Sequence, residues 1–241
     1  MTYDPINRLK PVTENVWIVD GPVIRFGLPW PKMPFPTRMT LLRLDGGLFV
    51  HSPTPLVDSL RREVEAIGPV RWIVGPSPIH YWWIAQWQAA FPEAEVHVAP
   101  GTPRRAGDRL PACRVIDGAD GHGWDEEVAT LPVRSRTFTE VEFFHRPSRT
   151  LILTDLIENF EAARLGSWWM RLLTRIGGVR DPDGRMPRDM RLTFVGRKAE
   201  LRAAVDRMIG WDPERIILAH GRWYDRNGRD ELERAFDWLN R

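Results

Sequence analysis

Two short apolar runs, Thr150-Leu-Ile-Leu-Thr-Asp155 and Arg215-Ile-Ile-Leu-Ala-His220-Gly221, constrain this chain more than any other feature. Each is nearly continuous in aliphatic residues, the pattern of a strand buried on both faces. Such strands belong to layered α/β architectures, in which other layers cover the sheet. Each run also stops at a residue that metals favour, a carboxylate in one case and an imidazole in the other. In layered α/β proteins ligands collect beyond the carboxyl ends of the strands, where the chain opens into a cleft. A third candidate, His80, follows the apolar run Val70-Arg-Trp-Ile-Val74 across the turn Gly75-Pro-Ser-Pro-Ile79.

Apolar runs elsewhere predict strands over 16–19, 39–44, 48–50, 96–98, 128–133 and 141–145, with a hairpin turn at Asp45-Gly46-Gly47. Helical spacing of Leu56, Leu60, Val64 and Ile67 predicts a helix over 55–68. Further helices are read over 81–90, 168–176, 199–209 and 230–239, and the segments 104–123 and 177–187 read as loops. Prolines crowd the stretch 22–55, including Pro29-Trp-Pro31 and Pro34-Phe-Pro36. Proline lacks a backbone donor, so an ordered surface loop is expected there instead of a central strand. Hairpins first, then strands alternating with helices, point to one domain over 1–241 with helices packed outside sheets.

With 43% hydrophobic residues in 241, the chain can bury a substantial core. No run approaches the ~20 apolar residues of a membrane span, and the N-terminal stretch lacks the apolar region of a secretory signal. A cytoplasmic protein is expected. The single cysteine, Cys113, excludes an internal disulfide framework and a cysteine-based zinc site. Basic and acidic residues nearly balance, 34 against 32, and no basic stripe with interleaved aromatics marks a nucleic-acid groove. The arginine-rich stretch from Arg180 to Arg191 reads as a solvated loop. A small-molecule substrate or ligand is the expected partner.

His80, Asp155 and His220 together offer two imidazoles and one carboxylate, a set that suits Zn²⁺, or Fe²⁺ where positions stay open. A metal held there turns water into a nucleophile at neutral pH. The plainer alternative makes Asp155 a cap for the following segment and His220 a satisfied strand-end histidine. His145, before a proline turn, reads as structural, and His97 alternates in a short strand to face solvent. Asp120-Gly-His122 reads as a turn. Trp83 and Trp87 share a helical face and read as core, whereas Trp82 lies off that face beside His80 and would line a cleft.

Several segments, in order and spacing, resemble the metallo-β-lactamase-fold superfamily, most closely the branch termed domain of unknown function 4336. They are Phe35-Pro-Thr-Arg-Met39, Leu48-Phe-Val-His-Ser-Pro53, Gln86-Trp87 through Ala90-Phe-Pro92, Phe143-Phe-His-Arg-Pro-Ser148, Leu151-Ile-Leu-Thr-Asp155, Trp211 to Arg222, and Ala235-Phe-Asp-Trp-Leu239. The resemblance implies an α/β fold, a four-layer αββα sandwich with a metal cleft along one edge. It also shows what is missing. The superfamily's His-x-His-x-Asp-His motif is replaced by Ser77-Pro-Ile-His80-Tyr-Trp-Trp83, and a middle histidine is absent near Arg134-Ser-Arg136. One zinc or iron ion on His80, Asp155 and His220 is the implied cofactor, and no binuclear centre is expected. Tyr81 stands where this branch commonly has another histidine and is expected to donate to a developing oxyanion. Asp155 would bind metal or orient the water. His51 occupies a place usually acidic in the superfamily and would support the ligands. Trp168 and Trp169 fall in an insert where relatives carry substrate-gating elements. The functional expectation is a single-metal hydrolase of a small, partly apolar ester, lactone or thioester. The alternative is a non-catalytic member of the fold that binds a ligand or partner.

Overall fold

The computed structural model describes residues 1–26, 32–110 and 112–240. Seven strands form the first sheet in chain order: β1 (Lys10–Thr13), β2 (Val16–Phe26), β3 (Met33–Leu44), β4 (Gly47–His51), β5 (Val70–Gly75), β6 (Glu95–Val98) and β7 (Arg114–Val115). The first four pair antiparallel and the last four parallel. The second sheet holds β8 (Val128–Arg134), β9 (Thr139–His145), β10 (Thr150–Leu153) and β11 (Arg215–Leu218), in the spatial order β11-β10-β9-β8. Helices are α1 (Asp58–Ile67), α2 (Ile84–Ala90), α3 (Thr102–Ala106), α4 (Trp168–Gly177), α5 (Arg188–Leu192), α6 (Lys198–Gly210) and α7 (Gly228–Ala235).

The two-sided apolar strands build the layers directly, because successive side chains of a strand point to opposite faces. Ile152 of β10 and Ile217 of β11 point inward and meet Phe49, Trp72 and Val74 of the first sheet. Leu151, Leu153, Ile216 and Leu218 point outward, onto Leu201, Val205 and Met208 of α6 and Leu232 of α7. On the far side, Leu48, Val50 and Ile73 pack against Leu60 and Val64 of α1 and Ile84 and Trp87 of α2. The result is a four-layer αββα sandwich with three stacked cores. Each fully buried aliphatic or aromatic side chain contributes about 1.5–3 kcal/mol relative to exposure.

The proline-rich stretch departs from expectation. Instead of a loop, it continues the β2–β3 hairpin, with Val23 opposite Pro36, Ile24 opposite Phe35 and Arg25 opposite Pro34. β4 pairs only with Thr40–Leu44, so this end of β3 has β2 as its one sheet neighbour. A strand residue sends its N–H and C=O to the same edge. The Pro36 carbonyl faces His220 across that edge, so its missing donor removes no ladder bond. Pro29-Trp-Pro31 lies outside the described residues. Smaller departures are α3 and β7 within a segment read as loop, a later start for α2, and a short 3₁₀ turn at Asp237–Asn240 after α7. No helix among the described residues is long and apolar enough to cross a membrane.

Candidate metal centre

The parallel register of β10 and β11 brings the first two ligand candidates together. Thr150 lies opposite Arg215 and Leu153 opposite Leu218, so the residues two places beyond each strand, Asp155 and His220, emerge side by side. Buried Glu140 of β9 fixes the turn that carries Asp155. Its Oε1 accepts from the amides of Thr154, Asp155 and Leu156 at 2.9, 2.8 and 3.3 Å. The turn therefore caps no helix. Buried Arg38 of β3 holds the other turn, donating to the carbonyls of Leu218 and Gly221 at 2.6 and 2.8 Å while its guanidinium pairs with Asp20 at 2.7 Å. Gly221 is required here: its φ is +86°, and a Cβ would lie 2.1 Å from the Asn159 carbonyl oxygen.

His80 arrives from the first sheet, on the turn between β5 and α2. Its Nε2 lies 3.4 Å from Asp155 Oδ2, and His220 Nε2 lies 3.2 Å from Asp155 Oδ1. The three ligand atoms fall within 4.8 Å of one another, close enough to hold one metal ion. Each imidazole is oriented by its other nitrogen. His220 Nδ1 donates to the Pro36 carbonyl at 2.7 Å, and His80 Nδ1 is 2.8 Å from Ser52 Oγ. Both Nε2 atoms are thereby turned toward the shared carboxylate, as partners beyond the ligands commonly do around metals. Asp155 Oδ2 is buried and has no hydrogen-bond partner among the described residues. Two imidazoles and a buried carboxylate, one of whose oxygens makes no hydrogen bond among the described residues, fit a divalent metal of the zinc or iron type.

Burial alone would raise the Asp155 carboxyl, but His80 and His220 hold it well below the usual carboxylate range. Burial would lower the His220 imidazole, and Asp155 with Glu158 reverses that and raises it. Glu158 lies close by, where burial pushes its carboxyl up to about 8, so it carries a proton at neutral pH and can donate. The triad and Glu158 border a cavity of about 570 Å³ whose other walls are mainly apolar, among them Phe26, Met33, Phe35, Trp82, Phe160 and Met170. Ligand sites commonly have this character, apolar walls with a few convergent polar groups.

The remaining expectations divide. Trp82 lines the cavity. Trp83 lines it too, while Trp87 is core and donates to the Thr54 carbonyl at 2.7 Å. Tyr81, expected to face an oxyanion, is instead buried in the core beneath the first sheet's helices and does not border the cavity. His51 is buried against Phe143, with no hydrogen bond to Nε2 among the described residues, and burial lowers its pKa to about 3. Its neighbour Ser52 makes the hydrogen bond to His80. Trp168 is 76% exposed and Trp169 packs on Phe160 and Leu165, so neither reaches the cavity. Residues Met170, Leu173, Thr174 and Ile176 of the same helix line it instead. His97 is buried, 4.8 Å from the Trp124 ring, and does not face solvent. His145 lies at the opposite end of the second sheet, beside Ser148. Sequence reading passed over Glu158, Glu140, Arg38 and Ser52. The one available signal was charge inside apolar strand patterns, as in Thr139-Glu-Val-Glu-Phe143.

No protein-family model matches the chain, and no curated protein matches it significantly. Solved structures do. The DIM-1 metallo-β-lactamase superposes with a TM-score of 0.65 at 12% identity, covering 97% of this chain and 96% of that one. A metallo-β-lactamase from Hirschia baltica gives 0.61 at 16% identity, covering 96% and 97%. The metal-soaked Flv1 flavodiiron core from Synechocystis sp. PCC6803 gives 0.64 at 12% identity, covering 97% of this chain and 60% of that one. The fold is the metallo-β-lactamase αββα sandwich.

Proposed function

We propose that the protein is a single-metal hydrolase acting on a small, partly apolar ester, lactone or thioester. The observation that supports this best is the convergence of His80 and His220 on opposite oxygens of Asp155 at the edge of a largely apolar cavity. His80, Asp155 and His220 would hold a zinc or iron ion, which supplies an acidified water as nucleophile. The chain does the positioning. Ser52 and the Pro36 carbonyl orient the imidazoles, and the apolar walls exclude bulk water and seat the substrate's hydrocarbon part. Glu158, whose carboxyl burial pushes up, borders the same cavity and is the candidate donor to a substrate oxygen, the part expected of Tyr81. Placement in the domain of unknown function 4336 branch rests on the sequence segments alone.

A second reading, a non-catalytic binder of the same fold, is favoured by one observation. Each oxygen of Asp155 already has an imidazole Nε2 beside it, an arrangement that a purely structural buried cluster would also show. Zinc calorimetry followed by hydrolysis assays on short-chain acyl esters and thioesters separates the two. One tight equivalent of zinc and turnover that Asp155→Ala abolishes supports the hydrolase. Zinc-free protein with no turnover on any of these supports the binder.

A further inference from the structure

Beside the cavity lies a second pocket, about 450 Å³, lined by Arg175, Arg180, Arg185, Arg188 and Arg191 with Asp181 and Asp183. Five guanidinium groups face two carboxylates, and those carboxylates already have partners. Asp181 accepts from Asn159 Nδ2 at 3.1 Å and pairs with Arg222, and Asp183 pairs with Arg234. Arg185 pairs with Asp237, and Arg191 donates to the Met186 carbonyl and covers the Trp238 ring. Among the described residues, the side chains of Arg175, Arg180 and Arg188 have no ion pair. Burial, and to a lesser extent Arg185 and Arg188, lower the Arg191 pKa, while Asp237 acts in the opposite sense.

The backbone that carries most of the pocket's arginines is fixed in place. Its loop is bonded along the segment that follows Asp155. Phe160 donates to the Val179 carbonyl at 2.7 Å, Asp181 donates to the Phe160 carbonyl at 3.0 Å, and Glu158 and Arg185 exchange backbone bonds at 3.1 and 3.2 Å. Arg188 lines both pockets. Guanidinium forks match phosphate oxygens in charge and geometry, and several together match a diphosphate better than a single carboxylate.

We propose that this arginine pocket binds the phosphate groups of the ligand whose apolar part fills the neighbouring cavity. This rests on the cavity being the substrate site, and it deepens that reading: the ester or thioester would carry a phosphorylated head. The head could belong to a phospholipid or to a soluble phosphorylated carrier, and the chemistry recognised is the same.

Pyrophosphate titrated into metal-free protein by calorimetry tests the pocket apart from any hydrolysis. The expected result is saturable one-to-one binding that weakens about tenfold or more in Arg180→Ala/Arg188→Ala, with zinc binding unchanged. Arg61→Ala, on the exposed face of α1, is the control and should bind as wild type. Non-saturable heat, or equal weakening by Arg61→Ala, would overturn the proposal in favour of diffuse charge. Failure of zinc binding with pyrophosphate binding intact would instead strike the hydrolase reading. Sedimentation with phosphatidylglycerol and phosphatidylcholine vesicles then identifies the source. Anionic-vesicle binding released by pyrophosphate points to a lipid head, and pyrophosphate binding without vesicle binding points to a soluble one. Vesicle binding that pyrophosphate does not displace would count against the pocket.

Discussion

At one end of the four-stranded sheet His220 closes β11, and at the other His145 closes β9. Both imidazoles are buried, at 4% and 1% exposure. Among the described residues the His145 ring has the Ser148 hydroxyl as its one hydrogen-bond partner, and burial lowers its pKa to about 4. His220 meets Asp155 and the Pro36 carbonyl, and its pKa is raised despite the same burial. Depth in the protein therefore does not set the state of a histidine here; the presence of a buried carboxylate does. That carboxylate is available only at the carboxyl ends of the parallel pair β10 and β11, which is why one end of the sheet can carry chemistry and the other serves packing.

Removing the carboxylate should make the two ends alike. In Asp155→Ala the His220 pKa should fall below its ordinary value, as read by imidazole NMR titration, and zinc affinity should drop about 100-fold or more. Retained tight zinc binding would show that the ligand set lies elsewhere. Glycines near the two ends of β11 should differ as sharply. Gly221→Ala, with its Cβ 2.1 Å from a carbonyl oxygen and φ of +86°, should cost about 2 kcal/mol or more in urea unfolding. Gly210→Ala, with open space around it at the end of α6, should be neutral or stabilising by about 0.5 kcal/mol.

Ser52→Ala frees His80 Nδ1 and should weaken zinc by about tenfold without unfolding the chain, a split seen by pairing zinc calorimetry with thermal denaturation. The two ends should also show pH slopes of opposite sign. His145 binds its proton near 6.5 when unfolded and near about 4 when folded, so stability should fall as pH drops through that window. His145→Gln should flatten the loss. Glu158 keeps its proton up to about 8 when folded, against 4.5 as an ordinary glutamate. Its contribution is present at low pH and lost as pH rises from 4.5 through about 8. Glu158→Gln should remove that alkaline decline and leave the acid side unchanged. Urea midpoints between pH 4 and 9 measure both slopes.

The layered fold was legible because its signal is local. Leu151-Ile-Leu153 and Ile216-Ile-Leu218 alternate between two cores, and only a strand covered on both faces tolerates apolar residues at every position. Asp155 and His220 were legible for the same reason, since a strand must end somewhere and what it ends in is written in the chain. What the chain could not state was which segments lie next to one another. The proline stretch looks like a loop until β3 is seen to run past β4, where a missing donor costs nothing and the Pro36 carbonyl is free to hold His220. Tyr81 and Ser52 exchanged their expected importance because the rotation of one turn put the tyrosine in the core and the serine against His80. The arginines from Arg180 to Arg191 read as a solvated loop, and the loop's backbone bonds to Glu158 and Phe160 gather them with Arg175 into a pocket. Periodicity reports the faces of a single element, whereas a site depends on the register and pairing of elements far apart in sequence, which only the packed structure decides.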